Sequence, residues 1–330
     1  MADHSGPEQV GLRYLSVAYR VRKVLDEQMI TSGLSLARTK VLQVLERNNS
    51  IRQASLAQEL GFAQRGFHLG IVARSQAKVD DLRQEIGQSA PGTSVEAFIA
   101  DLTSLRDVRR AGKEIEARYE RIAVLVNNAG LHAFSQRVTA DGFAEMTAVN
   151  YLAPWVLTTT LRDKLVASAP ARVVNVASEA SRHAGTIDPA HDITATTEYN
   201  RRESAALYGR SKLMDIMLTQ EFGRRLAGTG VTVNCCDPGF NTSGLGRELP
   251  MAGLLERILK TLRVGDPRHG AGIIVRLATD PAFAETTGGY FSVKDAKPLV
   301  CPEPGRGKEI QAELWDTTAT LLDGILSSAE

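Results

Sequence analysis

Two residues with the chemistry of a proton-transfer pair stand four positions apart in the run Tyr208-Gly-Arg-Ser-Lys212. The stretch Ala206–Leu226 has a helical apolar pattern, and in a helix a separation of four places both side chains on one face. A lysine ammonium beside a phenol favours the phenolate and lowers its pKa from about 10 toward neutrality. The pair can therefore act as a general acid or base, although Tyr-x-x-x-Lys by itself often occurs without a catalytic role.

Other polar residues and glycines stand where predicted strands end. Ser178 follows the apolar run Arg172–Ala177, and Asn128-Ala129-Gly130 closes the run Ile122–Asn127. Ligand sites of open α/β sheets lie at the carboxyl ends of the strands, which brings such residues together. The remaining candidates follow or lie between the same elements: Arg74, Asp101, Leu102, Asn150, Pro238, Gly239 and Thr242.

Strand-like and helix-like patterns alternate after residue 65, which predicts parallel βαβ units in a doubly wound, Rossmann-like sheet. The predicted strands are Phe67–Ala73, Val95–Ala100, Ile122–Asn127, Arg172–Ala177, Val231–Cys236 and Tyr290–Val293. The predicted helices between them are Gln76–Ile86, Asp107–Tyr119, Gly142–Val166 and Ala206–Leu226. The Thr- and Asp-rich segment Gly185–Asn200 is interpreted as a loop.

Composition excludes several classes of protein. The 330 residues carry a net charge of +1, which gives no overall attraction to nucleic acid or anionic membranes. No apolar run approaches the ~18–20 residues of a membrane span, and the polar first residues do not resemble a signal peptide. The three cysteines, Cys235, Cys236 and Cys301, lack metal-ligand spacing, so we expect no metal site, structural cysteines and a reducing, cytoplasmic setting.

Taken together and in this order, the motifs of residues 66–330 closely resemble the short-chain dehydrogenase/reductase family. The resemblance implies hydride transfer between NAD(P) and an alcohol or carbonyl. It assigns proton transfer to Tyr208, ribose binding to Lys212, the substrate oxygen to Ser178 and a proton-relay water to Asn150. It also places Asp101 and Leu102 at the adenine, Asn128, Ala129 and Gly130 along the adenosine, and Pro238, Gly239 and Thr242 at the nicotinamide.

Finer features are similar to the branch of retinol dehydrogenases and WW-domain oxidoreductases. They are Asp141-Gly142-Phe143, the long separation of Ser178 from Tyr208, Thr287-Gly-Gly-Tyr-Phe291 and Leu314-Trp315. This likeness implies a small-molecule substrate, an apolar and often bulky alcohol or carbonyl compound, and it is compatible with a homo-oligomer. Arg74 closes the strand Phe67–Ala73 where an acidic residue would hold the ribose of NAD, so NADP is favoured over NAD.

The Gly-rich turn that opens the family's cofactor site is absent from residues 1–66, and so is an evident strand before it. The resemblance therefore predicts a sheet that lacks its usual first strand, with impaired binding of the cofactor pyrophosphate. A degenerate alternative would use Val41–Leu45 as the strand, Glu46–Arg52 as the turn and Gln53–Arg65 as the helix. It would place side chains, one of them acidic, where glycines approach the phosphates.

Residues 10–65 instead resemble a truncated MarR-type winged-helix regulator. The likeness rests on Tyr19–Leu25, Gly33–Ala37, Val41–Leu45 and Ser55–Gly61. Three helices are predicted here: one through Tyr19–Leu25, a second capped by Ser35 that carries Val41–Leu45, and a third that ends at Gly61. We therefore predict two parts, a helical segment over 1–65 fused to a dehydrogenase over 66–330. The recognition helix and wing of such regulators are absent, which argues against DNA binding. The alternative function is a MarR-like regulator or interaction protein that uses an inactive dehydrogenase body.

Overall fold

The protein contains one eight-stranded sheet, seen in a computed structural model that describes residues 40–44, 62–63, 65–239 and 267–327. The strands stand in the order β3-β2-β1-β4-β5-β6-β7-β8. All neighbouring strands are parallel except β7 and β8. The strands are β1 Lys40–Val44, β2 His68–Ala73, β3 Val95–Ile99, β4 Val124–Asn127, β5 Ala171–Val176, β6 Val231–Asp237, β7 Tyr290–Ser292 and β8 Pro298–Leu299.

Helices connect the strands and cover both faces of the sheet, as a doubly wound fold requires. They are α1 Gln76–Ser89, α2 Leu105–Arg118, α3 (made of Glu145–Thr147, the π-helical Ala148–Leu152 and Ala153–Thr160), α4 Arg162–Ala167, α5 Pro189–Thr194, α6 Ser204–Arg225, α7 Pro267–Thr279 and α8 Lys308–Ser327. Short 3-10 helices occupy Glu179–His183 and Pro281–Phe283. The predicted α/β class and parallel sheet are confirmed.

The core has two layers because successive side chains of a strand point to opposite faces. Val173 and Cys235 pack in the layer beneath α2, α3 and α6, whereas Val174 and Cys236 pack in the layer beneath α1 and α7. The adjacent cysteines therefore face apart, and all three cysteines are free and buried. Burial raises the pKa of the Cys235 and Cys236 thiols well above the usual range, so they behave as apolar core residues.

The six strands predicted from sequence are all present, but the prediction that the first strand is missing is wrong. β1 pairs in parallel with β2, from Lys40 opposite His68 to Val44 opposite Val72, and on its other side with β4. It fills the centre of the sheet, where β2 and β4 would otherwise have unpaired backbone groups. A short apolar run does not distinguish helix from buried strand by periodicity alone, which explains the error.

This strand joins the N-terminal part of the chain to the body. The helix predicted through Val41–Leu45 is wrong for Lys40–Val44, and the proposed boundary at residues 65 and 66 falls between two paired strands. The other helices predicted before residue 62 lie outside the described residues. The alternative that uses Val41–Leu45 as the first strand predicts a strand where β1 lies.

Two further predictions need correction. The stretch Gly142–Val166 is not one regular helix, because it changes to π geometry at Ala148–Leu152 and breaks between α3 and α4. The segment interpreted as a loop, Gly185–Asn200, contains α5. The Asp188 side chain caps α5 by accepting a hydrogen bond from the His191 amide at 3.1 Å.

We expect Leu42→Pro to destabilise the whole sheet. Leu42 lies opposite Gly70 on one side and Leu125 on the other, so proline there removes a donor from a strand that is paired on both edges. The free energy of unfolding should fall by on the order of 3 kcal/mol, measured by chemical denaturation followed by circular dichroism.

Val300→Pro is the matched control, because Val300 follows the edge strand β8 and is 58% exposed. Its free energy of unfolding should change little. Equal stability of the Leu42→Pro variant and the parent protein would contradict the central position of β1.

Candidate active site

A buried chain of polar side chains fixes α6 against the sheet. The Asn127 amide of β4 donates to the Asn175 carbonyl oxygen of β5 at 2.8 Å, and the Asn175 amide donates to the Thr219 hydroxyl at 2.9 Å. Thr219 in turn donates to the Asp215 backbone carbonyl at 2.8 Å. Because these hydrogen-bonded side chains are buried, they fix the position of α6 along the sheet and its rotation about its own axis. This is the helix that carries Tyr208 and Lys212.

Lys212 reaches from α6 to the carboxyl end of β5. Its Nζ donates to the Val176 carbonyl at 2.8 Å and to the Asp215 carboxylate at 2.9 Å. The lysine is only 3% exposed, so its charge must be compensated by these groups. The ammonium therefore has a fixed position at the edge of the sheet.

Tyr208 lies one helical turn before Lys212 on the same face of α6, as the sequence predicts, and is nearly buried. The imidazole ring of His132 stacks on its ring, with centroids 4.7 Å apart and planes inclined by 14°. The Nε2 atom of His132 lies 3.2 Å from the Ser204 hydroxyl at the start of α6. The stack covers one face of the phenol and restricts the ring to a single plane.

Asn150 lies fully buried in the π-helical part of α3. Its side chain brackets the Leu131 backbone, accepting from the amide at 2.7 Å and donating to the carbonyl at 2.9 Å. It also donates to the Ser211 hydroxyl on α6 at 2.9 Å. Short π-helical stretches often occur at functional sites. Here Asn150 ties the loop after β4 to the helix of the Tyr-Lys pair.

The loop after β4 runs close to the lysine. A Cβ atom added to Gly130 would lie 3.1 Å from Lys212 Nζ and 3.4 Å from Asn150 Oδ1. A glycine keeps this cradle open beside the ammonium. Asn128 is half-buried, whereas Ala129 is buried in the core. The structure thus brings Gly130, Asn150, Lys212 and Tyr208 together.

Ser178 follows β5 and begins the 3-10 helix at Glu179–His183, where its hydroxyl accepts from the Ala180 amide at 3.2 Å. The half-buried Ala180 packs in the cluster around Tyr208. This turn lies directly against α6, since a Cβ on Gly209 would approach the Ala180 carbonyl oxygen to 2.4 Å. Ser178 therefore caps a turn that packs against the helix of the tyrosine.

The candidates for the adenosine side lie at the ends of β2 and β3. Arg74 follows β2 and is half-buried, and Asp101 accepts from the Thr103 amide and hydroxyl at 3.0 and 2.9 Å. Leu102 is buried in the core. At the end of β6, Gly239 has a φ of 74° and follows Pro238. Thr242 lies outside the described residues.

The carboxyl end of β6 is joined to the turn after β5. Asp237 Oδ1 accepts from the Glu179 amide at 3.1 Å, and burial raises the pKa of Asp237 from its ordinary value. This hydrogen bond holds the turn after Ser178 level with the carboxyl end of β6. The two strands therefore contribute to the same crevice.

The crevice lies at the topological switch point, because β1 continues to β2 and β3 on one side while β4 begins the other half of the sheet. Ligands of such sheets bind at this point. The ammonium of Lys212 and the cradle at Gly130 fit the nicotinamide-ribose half of a dinucleotide. The sequence contains no glycine between positions 34 and 60, and residues 45–61 lie outside the described residues. The described residues therefore fit the nicotinamide-ribose half of the cofactor, and the pyrophosphate is not part of this comparison.

Sequence reasoning did not find His132 or Asp215. His132 follows Gly130 by two residues, and Asp215 follows Lys212 by three, a spacing that places a carboxylate within reach of the ammonium on a helix. The signal for Asp215 was therefore present in the sequence. The stack of His132 on Tyr208 depends on the path of the loop after β4, which local sequence does not specify.

Among the helices of the described part of the chain, none has the length and apolar character required to cross a membrane.

Comparisons with known proteins agree with this geometry. A family model described as short chain dehydrogenase matches residues 55–190. The chain is 33% identical to human retinol dehydrogenase 12 over 306 residues, 93% of each chain. Two solved structures share the fold: an uncharacterized protein from Mycobacterium paratuberculosis (TM-score 0.64, 23% identity, covering 86% of this chain and 92% of that one) and a Beutenbergia cavernae protein. The latter, assigned as an NAD(P)-dependent gluconate 5-dehydrogenase, has bound NADP (TM-score 0.59, 27% identity, 78% and 94%).

These matches bear on the N-terminal part as well. An alignment that covers 93% of this chain extends well into the first 65 residues, and the family model itself begins at residue 55. The comparisons thus give no support to the predicted MarR-type fragment over residues 10–65.

We expect Gly209→Ala to destabilise the site. The added methyl would lie 2.4 Å from the Ala180 carbonyl oxygen and 3.2 Å from the Ala184 amide, both backbone atoms, so the turn after Ser178 must move away from α6. Overpacking of this kind should lower the free energy of unfolding by about 1–3 kcal/mol, measured in urea.

The matched control is Gly272→Ala in α7, where nothing lies within 4 Å of the added methyl. Alanine is the better helix former, so this variant should gain up to about 1 kcal/mol. If both variants gained stability, the close contact of α6 with the turn would be refuted.

Proposed function

Since the chain belongs to the short-chain dehydrogenase family and is an NAD(P)-dependent oxidoreductase, we propose that it interconverts a bulky apolar alcohol and its carbonyl compound, with NADP(H) as cofactor. The observation that carries the proposal is the Tyr208–Lys212 pair, held at the switch point with the lysine bonded to the Val176 carbonyl at 2.8 Å. When bound, the cofactor accepts or donates the hydride.

The residues of the chain supply the proton and the orientation. Tyr208 gives its phenolic proton to the carbonyl oxygen in reduction and takes it back in oxidation. The Lys212 ammonium stabilises the phenolate and binds the ribose, and Ser178 holds the substrate oxygen. Asn150, bonded to the Leu131 backbone, keeps the loop with Gly130 beside the lysine and positions the proton-relay water.

The remaining residues are assigned by the resemblance to the family. Asp101 and Leu102 at the end of β3 contact the adenine, and Asn128 and Ala129 line the adenosine side. Gly130, which the resemblance also assigns to the adenosine side, lies beside Lys212 and therefore faces the nicotinamide ribose. Pro238, Gly239 and Thr242 shape the nicotinamide end. Arg74, at the end of β2, binds the 2′-phosphate that distinguishes NADP from NAD.

The surroundings of Tyr208 favour an apolar substrate. The tyrosine packs with Ala133 and Met146, and the half-buried side chains of Leu131, Tyr199 and Leu207 adjoin them. Such walls bind hydrocarbon through burial of apolar surface. The likeness to human retinol dehydrogenase 12 points in the same direction, so a retinoid-like alcohol or aldehyde is the substrate class that we propose.

The cytoplasmic setting and a homo-oligomer stay predictions, and the MarR-like regulator is not favoured by the comparisons. NADP rather than NAD stays a proposal on the position of Arg74.

We expect Tyr208→Phe to lose activity by about 10²- to 10⁴-fold, because it removes the transferable proton and leaves the ring. The measurement is the absorbance of NADPH during reduction of retinaldehyde and of decanal. The polar 5-ketogluconate, suggested by the Beutenbergia cavernae relative, serves as the contrasting substrate and should react far more slowly.

Tyr119→Phe is the matched control, since Tyr119 follows α2 and packs on Phe98 outside the site. It should keep the parent rate. Full activity of Tyr208→Phe, or faster reduction of 5-ketogluconate than of the apolar aldehydes, would refute the proposal in its catalytic or its substrate part respectively.

For Arg74→Ala we expect the KM for NADPH to rise about tenfold or more while the KM for NADH stays nearly constant, because only NADPH carries the phosphate that an arginine would bind. Arg83→Ala is the control: Arg83 lies on α1, where it bonds to Asp80 and to the Val95 carbonyl. Equal changes of KM for both cofactors in the Arg74 variant would contradict the assignment.

A further inference from the structure

A buried carboxylate lies on α6 directly beside the proposed catalytic lysine. Asp215 Oδ2 is 2.9 Å from Lys212 Nζ, and the two side chains are 3% and 4% exposed. The Asp215 Oδ1 atom is buried and accepts no hydrogen bond from the described residues. A carboxylate with one bare oxygen in such a place is costly to keep ionised, and the lysine is the group that compensates it.

The pair is confined by four elements. Asp215 and Lys212 lie on α6, the Val176 carbonyl comes from β5, Cys235 faces the carboxylate from β6, and Tyr151 approaches from the π-helical part of α3. Of the titratable groups facing Asp215 in the described part of the chain, Lys212 has a positive charge and the others are ordinarily neutral. The ammonium is thus held between one neutral and one anionic acceptor.

We propose that Asp215 is a positioning residue, which anchors the Lys212 ammonium against β5 and whose negative charge sets how much positive field Tyr208 receives from that ammonium. The proposal rests on the function assigned above to the Tyr208–Lys212 pair. It deepens that function, because it makes the strength of the acid-base group depend on a third residue that touches neither substrate nor cofactor.

An isolated ammonium favours the phenolate of a nearby tyrosine, and an anion in contact with that ammonium cancels part of the effect. Burial raises the pKa of Asp215 to about 6, and the adjacent Lys212 opposes the rise. The carboxyl group is therefore ionised above about pH 6. At neutral pH its negative charge thus reduces the positive field of Lys212 at Tyr208.

Asp215→Asn tests the proposal, since asparagine keeps an oxygen that can accept from Lys212 and removes the charge. Ionisation of Tyr208 is followed by the ultraviolet absorbance of tyrosinate, as the difference between each protein and its Tyr208→Phe counterpart. We expect the pH midpoint of the Tyr208 titration to be lower by about one unit in the asparagine variant than in the parent protein. An unchanged midpoint, or a move to higher pH, would overturn the proposal.

Asp192→Asn is the matched control, because Asp192 on α5 is also a buried carboxylate but pairs with Arg210 of α6 at 2.6 Å instead of with Lys212. It should leave the Tyr208 midpoint unchanged, and an equal shift there would show an unspecific effect and overturn the proposal. If the asparagine variant of Asp215 fails to fold, Asp215→Ser removes the same charge without added volume, and the same result is expected.

This titration requires neither cofactor nor substrate, so its outcome is separate from that of the proposed function. A protein that shows the shift but reduces no aldehyde would contradict the proposed activity and leave the role of Asp215 standing. A protein that reduces aldehydes without the shift would contradict only the role of Asp215.

Discussion

The burial of one cation organises this site. Lys212 projects from α6 into the layer where the sheet ends, and its charge is compensated by the Val176 carbonyl and the Asp215 carboxylate. A buried ammonium tolerates little displacement, because loss of either partner leaves an uncompensated charge. The position of the lysine therefore fixes α6 relative to β5. Tyr208, one turn earlier on the same helix, is placed by the same constraint.

The sheet explains why these groups meet. With β1 between β2 and β4, the strand order reverses direction beside the loop after β4, where Asn150 and Gly130 converge on the lysine. The nicotinamide half of the crevice is thus built from β4, β5, β6 and α6.

Much of this arrangement could be predicted from local patterns. The six strands after residue 66 are short, mainly apolar runs, and the four-residue spacing of Tyr208 and Lys212 determines a shared face on any helix. β1 was missed because its five residues read equally well as part of an amphipathic helix, and its strand state depends on β2 and β4, which are distant in sequence. The stack of His132 on Tyr208 also depends on contacts between distant segments.

The central claim is that this chain, with β1 in its sheet and Lys212 at the switch point, binds a nicotinamide dinucleotide without a Gly-rich turn. Titration of the purified full-length protein with NADPH and NADH, followed by the fluorescence of the bound cofactor, tests it directly. Because the Gly-rich motif is missing from the sequence, we expect NADPH to bind with a Kd between roughly micromolar and millimolar, and NADH more weakly. Absence of binding by either cofactor at millimolar concentration would contradict the claim.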